Sequence, residues 1–296
     1  MAPSPESRLR ADTAPDVALR LIVAGCHADL LKYRAMVLKS ARPNGIHQTR
    51  VALRRLRAAF GLFRGAVHGP AVRALAAEAK WLARECAAAR DLQVFLTETV
   101  SDPPPLVRRI GRRLADVHLR HARAALSGAR FAVFDHGLQA FASPPPAGSG
   151  AGKARLDAFG RAVLDKRHAK AVRSGRKLEQ FDTERLHRLR IAIKKLRYAA
   201  GYFGHAFASG RVKPYIEATA RLQGALGALN DRAVAAQVLA DLATAARPTE
   251  DVAEPLKALA KQVASGEKRR RRRLERAWKD FRKAERFWRV TAKPSS

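Results

Sequence analysis

Apolar residues recur at three- and four-residue spacing along almost the whole chain, and β-branched alternation is nowhere sustained. That pattern predicts helix throughout. The segment IHQTRVALRRLRAAFGLF at 46–63 is the clearest instance. Wound at about 100° per residue, Ile46, Leu53, Leu56, Phe60 and Phe63 share an arc of roughly 100°, a face made to pack. His47, Arg50, Arg54 and Arg57 fall beside it as one polar stripe, about 15 Å long at ~1.5 Å rise per residue. Pro- and Gly-rich breaks stand at SDPPP (101–105), at SPPPAGSGAG (143–152) and around 247–255, where neither helix nor strand continues. The helices between them are expected at about 15–40, 45–66, 70–98 and 106–141. Four more are expected at 154–178, 184–208, 212–245 and 252–289, so each half forms a helical bundle.

The two halves repeat one another. Residues 186–203, LHRLRIAIKKLRYAAGYF, align with 46–63 at an offset of 140 with eight of 18 positions identical, His47/His187, Arg50/Arg190 and Arg57/Arg197 among them. The same offset aligns Arg90-Asp91 with Asn230-Asp231. A looser echo pairs the Arg-rich stretches 108–131 and 257–281. The fold class expected from this internal duplication is all-α, two pseudo-symmetric four-helix bundles. The boundaries are a disordered N-terminus (1–14), a first bundle (15–142), a linker (143–153), a second bundle (154–289) and a C-terminal tail (290–296).

Charge changes the picture most. Among 296 residues, 58 Lys and Arg stand against 26 Asp and Glu, a net charge of +32. Such self-repulsion implies a polyanionic partner. Forty-two of the cations are arginines, whose planar fork matches phosphate oxygens. The 47% apolar content excludes a disordered basic tail. No apolar run reaches the ~18 residues of a membrane span. Residues 1–10 lack the apolar core of a signal peptide, and Cys26 and Cys86 form no CxxC pair. The reading is a cytoplasmic protein with free thiols, without membrane association, disulfide scaffold or zinc ribbon.

The candidate binding residues follow from the stripes. No carboxylate lies between Asp29 and Glu78, nor between Glu184 and Glu217, so both stripes lack a local counter-charge. Like charges at i, i+3 and i+4 destabilise a helix, and doing so twice is poorly explained by solubility. The set is His47, Arg50, Arg54, Arg55 and Arg57 in the first copy, and His187, Arg190, Lys194, Lys195 and Arg197 in the second. Arg113, Arg120 and His121 join from one Arg-rich stretch, and Arg269, Arg272, Arg273 and Arg276 from the other. His47 and His187 either contact phosphate or fix a loop. Asp91 and Asp231 hold a neighbouring arginine in position, since no nucleophile or second acid accompanies them.

These residues resemble the CHAD family, the conserved-histidine α-helical domain. HQTRVALRRLRAAFGLFR (47–64) is similar to its first-repeat signature and LHRLRIAIKKLRY (186–198) to its second. ARDLQVFL (89–96), LNDRAV (229–234) and AWKDFRKAERFW (277–288) follow in the family's order. The resemblance implies paired helical bundles around a basic central cavity that binds inorganic polyphosphate, in proteins often found on polyphosphate granules. The CYTH triphosphate-tunnel enzyme to which some members are fused has no counterpart here: no alternating E-x-E-x-K strand is present.

Three functions compete. The leading one is non-catalytic binding of long-chain inorganic polyphosphate, without a cofactor or metal. The alternative is sequence-nonspecific nucleic-acid binding. Helix-turn-helix spacing, zinc-finger cysteines and RNP-like aromatics are absent, so nucleic acid is expected only as a weak competing polyanion. A phosphohydrolase or metalloenzyme is the third. Glu184-x-x-His187 has the spacing of a di-iron ligand pair, yet Asn44 replaces that Glu in the first copy, and His118-x-x-His121 stands equally alone. No P-loop or G-x-G-x-x-G precedes a helix. Oligomeric state is left open.

Overall fold

The computed structural model describes residues 8–40, 43–143, 154–180, 182–207 and 210–289. They form helices α1 (Pro15–Lys39), α2 (Pro43–Leu62), α3 (Pro70–Glu85), α4 (Ala87–Val94), α5 (Pro105–Ser127) and α6 (Ala129–Ala142) in the first half. The second half holds α7 (Leu156–Ser174), α8 (Thr183–Phe203), α9 (Val212–Ala245), α10 (Ala253–Ala264) and α11 (Glu267–Lys283). No strand occurs among the described residues.

Local chemistry sets several helix starts. Proline opens α1, α3 and α5, where its missing N–H is one the helix could not have used. Asp182 caps α8 by accepting from the Arg185 N–H at 2.7 Å. Three expected helices each divide in two. The run at 70–98 breaks at Cys86, 106–141 at Gly128, and 252–289 at Ser265–Gly266, where Gly266 takes φ +74°. A left-handed residue costs glycine little. At each break the apolar spacing runs straight through, so periodicity alone does not reveal it.

The expected packing faces are buried: Ile46, Leu53, Leu56, Phe60 and Phe63 are all in the core. That core is shared between the halves. Helices α2 and α8 pack together, with the Phe63 and Phe203 rings 5.1 Å apart and Phe159 of α7 against both. A second apolar cluster joins Leu92, Phe95 and Ile110 of the first half to Val238, Leu242 and Leu259 of the second. The two halves of the chain thus pack together at two places.

Residues 8–14, placed in a tail by the sequence, instead meet the start of α7. Leu9 is buried, and the Leu156 and Asp157 N–H groups donate to the Thr13 and Ala11 carbonyls. Residues 1–7, most of the Pro/Gly linker (144–153) and the tail from 290 lie outside the described residues. At the far end Trp288 is buried against α7, its indole N–H donating to Asp165 at 2.8 Å.

Candidate functional site

Helices α2 and α8 run side by side in the same direction. Arg54 Nε donates to the Tyr198 hydroxyl at 2.8 Å, Tyr202 donates to the Arg55 carbonyl at 2.9 Å, and Phe63 meets Phe203 further along. Their polar stripes are thereby turned toward common ground. His47, Arg50, Arg54 and Arg190 line one cleft of about 220 Å³ with Arg90, Asp91 and Asp231. Lys194 sits just along it, half-buried, with its pKa pushed down to about 8. Burial is the main cause; Arg190, Arg54, Arg57 and Lys195 add to it. Cations gathered this closely repel one another, and an anion placed among them would relieve that repulsion.

Two carboxylates, Asp91 and Asp231, share the wall of the cleft with the arginines. Arg50 donates to the Ala83 carbonyl in the last turn of α3 at 2.7 Å and lies 3.9 Å from Asp91. It thus satisfies one of the helix-end carbonyls that lack an intrahelical partner. Burial raises the pKa of Asp91, with Arg50 and Arg90 pulling it back. Asp231 is raised in the same way, opposed by Arg190, while Glu98 and Asp91 push it further up. His47 is held below its ordinary pKa by burial first, then by Arg90 and Arg54, so it is neutral at pH 7.

Through Arg190 the cleft opens into a groove of about 630 Å³ that holds His187, Arg232 and Arg271. Glu267, at the start of α11, accepts from Arg232 at 2.7 Å and from Arg271 at 3.1 Å. On the opposite side Arg90 pairs with Glu98 at 2.9 Å. The Arg190 side is lined by Asp182 and Glu184 as well as by Glu267, which rests on cations.

The remaining sequence candidates lie elsewhere. Arg113 is committed to a two-pronged pair with Glu250 at 2.8 and 2.6 Å, which draws that carboxyl down to about 2. Arg55 pairs with Asp29 at 2.8 Å, and His121 with Glu85. Lys195 is exposed, with Arg167 and Lys170 as charged neighbours that lower its pKa after burial does. Arg197 donates to Gln223 at 2.9 Å and lies over the Tyr198 ring. Arg57 borders both the Lys194 cluster and a separate groove at the end of α2. Arg120 is exposed on α5, and Arg269, Arg272, Arg273 and Arg276 are exposed on α11. Arg90, Arg271 and Tyr198 are members the stripes did not include. Arg90 was signalled by its place in the aligned Arg-Asp segment, whereas Tyr198 has Ala58 as its counterpart and carries no repeat signal. Among the described residues, no group of three or more His, Cys, Asp or Glu could hold a metal, and no helix is long and apolar enough to cross a membrane.

The family model of the CHAD domain matches residues 21–240. No curated protein sequence matches the chain. The crystal structure of the CHAD domain from the plant Ricinus communis superposes with a TM-score of 0.79 at 26% identity, covering 94% of this chain and 95% of that one. PptA from Streptomyces chartreusis superposes with a TM-score of 0.54 at 16% identity, over 92% of this chain and 99% of that one. The second likeness is one of fold alone.

Proposed function

We propose, since this chain belongs to the CHAD domain family and that family is associated with polyphosphate binding, that it holds long-chain inorganic polyphosphate in the cleft between α2 and α8 without cleaving it. The observation that supports the reading is the cleft itself, where His47, Arg50, Arg54, Arg90 and Arg190 converge and outnumber Asp91 and Asp231. A single-file chain of phosphates supplies closely spaced negative charge with no bulk to accommodate, and each phosphate can take charge-assisted hydrogen bonds from several guanidinium groups. We read the two stripes as copies of one ancestral unit and the cleft between them as the family's basic central cavity. The corresponding pairs Arg50–Asp91 and Arg190–Asp231 support this. Cytoplasmic residence on polyphosphate granules is the matching expectation.

Binding without chemistry is favoured because the two acids of the cleft are engaged with arginines. Release of orthophosphate from polyphosphate, lost in His47→Ala, would overturn that part of the reading. Nucleic acid is the weaker ligand here. Phe60, Phe63 and Phe203 are buried in the core and offer no face on which bases could stack. The test is a thermal melt at fixed ionic strength with matched phosphate-unit concentrations of long-chain polyphosphate, tripolyphosphate, orthophosphate and duplex DNA. A large upward shift with long-chain polyphosphate alone is expected. An equal or larger shift with DNA would make nucleic acid the partner.

A further inference from the structure

Beyond the cleft, at the end of α2, lies a groove of about 670 Å³ walled by α2, α3 and the turn between them. Its floor is apolar, built from Phe60, Val67, Val72 and Ala76. Its edges carry Arg57, Arg64, Arg73 and Lys80, and no carboxylate lines it. Arg57 has Arg84 for a charged neighbour, and burial together with that like charge holds its pKa below the ordinary arginine value. Gly61 and Gly65 add no side chain to the wall. A β-carbon placed on Gly61 would meet nothing within 4 Å, so a flat ring can approach the backbone there.

The volume falls within the ~300–1,000 Å³ of small-molecule sites. An inorganic phosphate chain leaves the apolar floor without a partner. A neutral apolar ligand leaves four cations without one. A ligand that satisfies both has a flat apolar body and a multiply charged tail. We propose that this groove binds nucleoside polyphosphates, the base lying over the half-buried Val67, Val72 and Ala76 beside Gly61 and the phosphates reaching Arg57, Arg64, Arg73 and Lys80. Apart from the four cations, His68 is the lining side chain able to hydrogen-bond a base edge, so burial and not base identity dominates the binding of the base. The site adjoins the α2–α8 cleft, sharing Arg57 with the Lys194 cluster, while its apolar floor lies outside that cleft and does not depend on polyphosphate occupying it.

Calorimetric titration with ATP and with tripolyphosphate, at one ionic strength and without added divalent cations, tests this. Both probes carry three phosphates, and ATP is expected to bind about tenfold more tightly through burial of its base. Gly61→Leu fills the groove from an open position and improves helix propensity. It should abolish the ATP advantage while long-chain polyphosphate still binds, and an unchanged melting temperature would show that the variant folds. Arg73→Glu, at an exposed position, should weaken ATP several-fold and leave the floor intact. Equal affinity of the wild type for ATP and tripolyphosphate, or an ATP advantage undiminished in both variants, overturns the proposal. Loss of long-chain polyphosphate binding in Gly61→Leu would also overturn it, because the groove would then belong to the polyphosphate track.

Discussion

At the scale of single residues, Lys194 is the group whose behaviour should betray the ligand. Its folded-state pKa of about 8 lies below the ordinary 10.5, so the folded protein binds this proton less well than the unfolded chain. Stability therefore rises with pH between about 8 and 10.5, and below pH 8 the repulsion is felt in full. A polyanion favours the charged ammonium and must raise that pKa. Binding of polyphosphate should accordingly take up protons at pH 8.5, seen as a buffer-dependent heat, and should weaken as pH climbs above 8. An affinity independent of pH from 7 to 10 would remove Lys194 from the site. Arg50 behaves differently although it belongs to the same stripe, because its guanidinium also serves the Ala83 carbonyl. Arg50→Ala should lower stability by about 1–3 kcal/mol, the cost of stranding a buried partner, whereas Lys194→Met should raise the melting temperature. Both should weaken polyphosphate binding. The stripes were legible in the sequence because helical spacing fixes which residues share a face. What separates Lys194 from Lys195, or Arg50 from Arg55, is which neighbouring helix each side chain meets, and spacing within one helix does not encode that. Arg113 shows the same limit: its sequence neighbours are basic, yet Glu250, 137 residues away, claims it.

At the scale of helices, the sequence placed most segments well and missed their hinges. The division between α10 and α11 at Gly266 is the consequential one, because it sets Glu267 in the first turn of α11. A carboxylate there suits the positive end of the helix and rests on Arg232 of α9. Polyphosphate entering from this side must displace it. Glu267→Gln should therefore bind long-chain polyphosphate more tightly, with log affinity falling more steeply with log salt as about one or two further phosphate contacts become available. Unchanged affinity and slope would mean the ligand never reaches α11. A second hinge fixes where α11 lies. Gly175 ends α7 against the indole of Trp278, and a β-carbon there would clash with the ring atoms. Gly175→Ala should cost about 1–3 kcal/mol through this overpacking, read as a lower denaturation midpoint with an unchanged slope. Nothing in the sequence around Gly175 marked it, because its role comes from an aromatic ring about a hundred residues downstream.

At the scale of the molecule, two opposing features meet along the α2–α8 seam. One side is apolar, with Phe63, Phe159 and Phe203 packed in tilted and edge-on contacts between the halves. The other carries the convergent cations of a chain with net charge +32. The repeat was legible and suggested two separate bundles, but the packing between them was not, because a buried Phe at equivalent positions of both copies reads equally well as two private cores. Shared packing makes the halves thermodynamically one unit, so the free protein should unfold in a single transition in calorimetry. Residues 154–289 expressed alone should expose the seam, lose cooperative melting and bind hydrophobic dye. The cations strain this seam while the apolar face closes it, so a ligand that neutralises the cleft should move the whole transition upward instead of splitting it. That shift should shrink steeply between 50 and 200 mM salt, as counterion release requires. Two resolved transitions, with polyphosphate moving only one, would mean that the halves fold independently and that the cleft belongs to one of them.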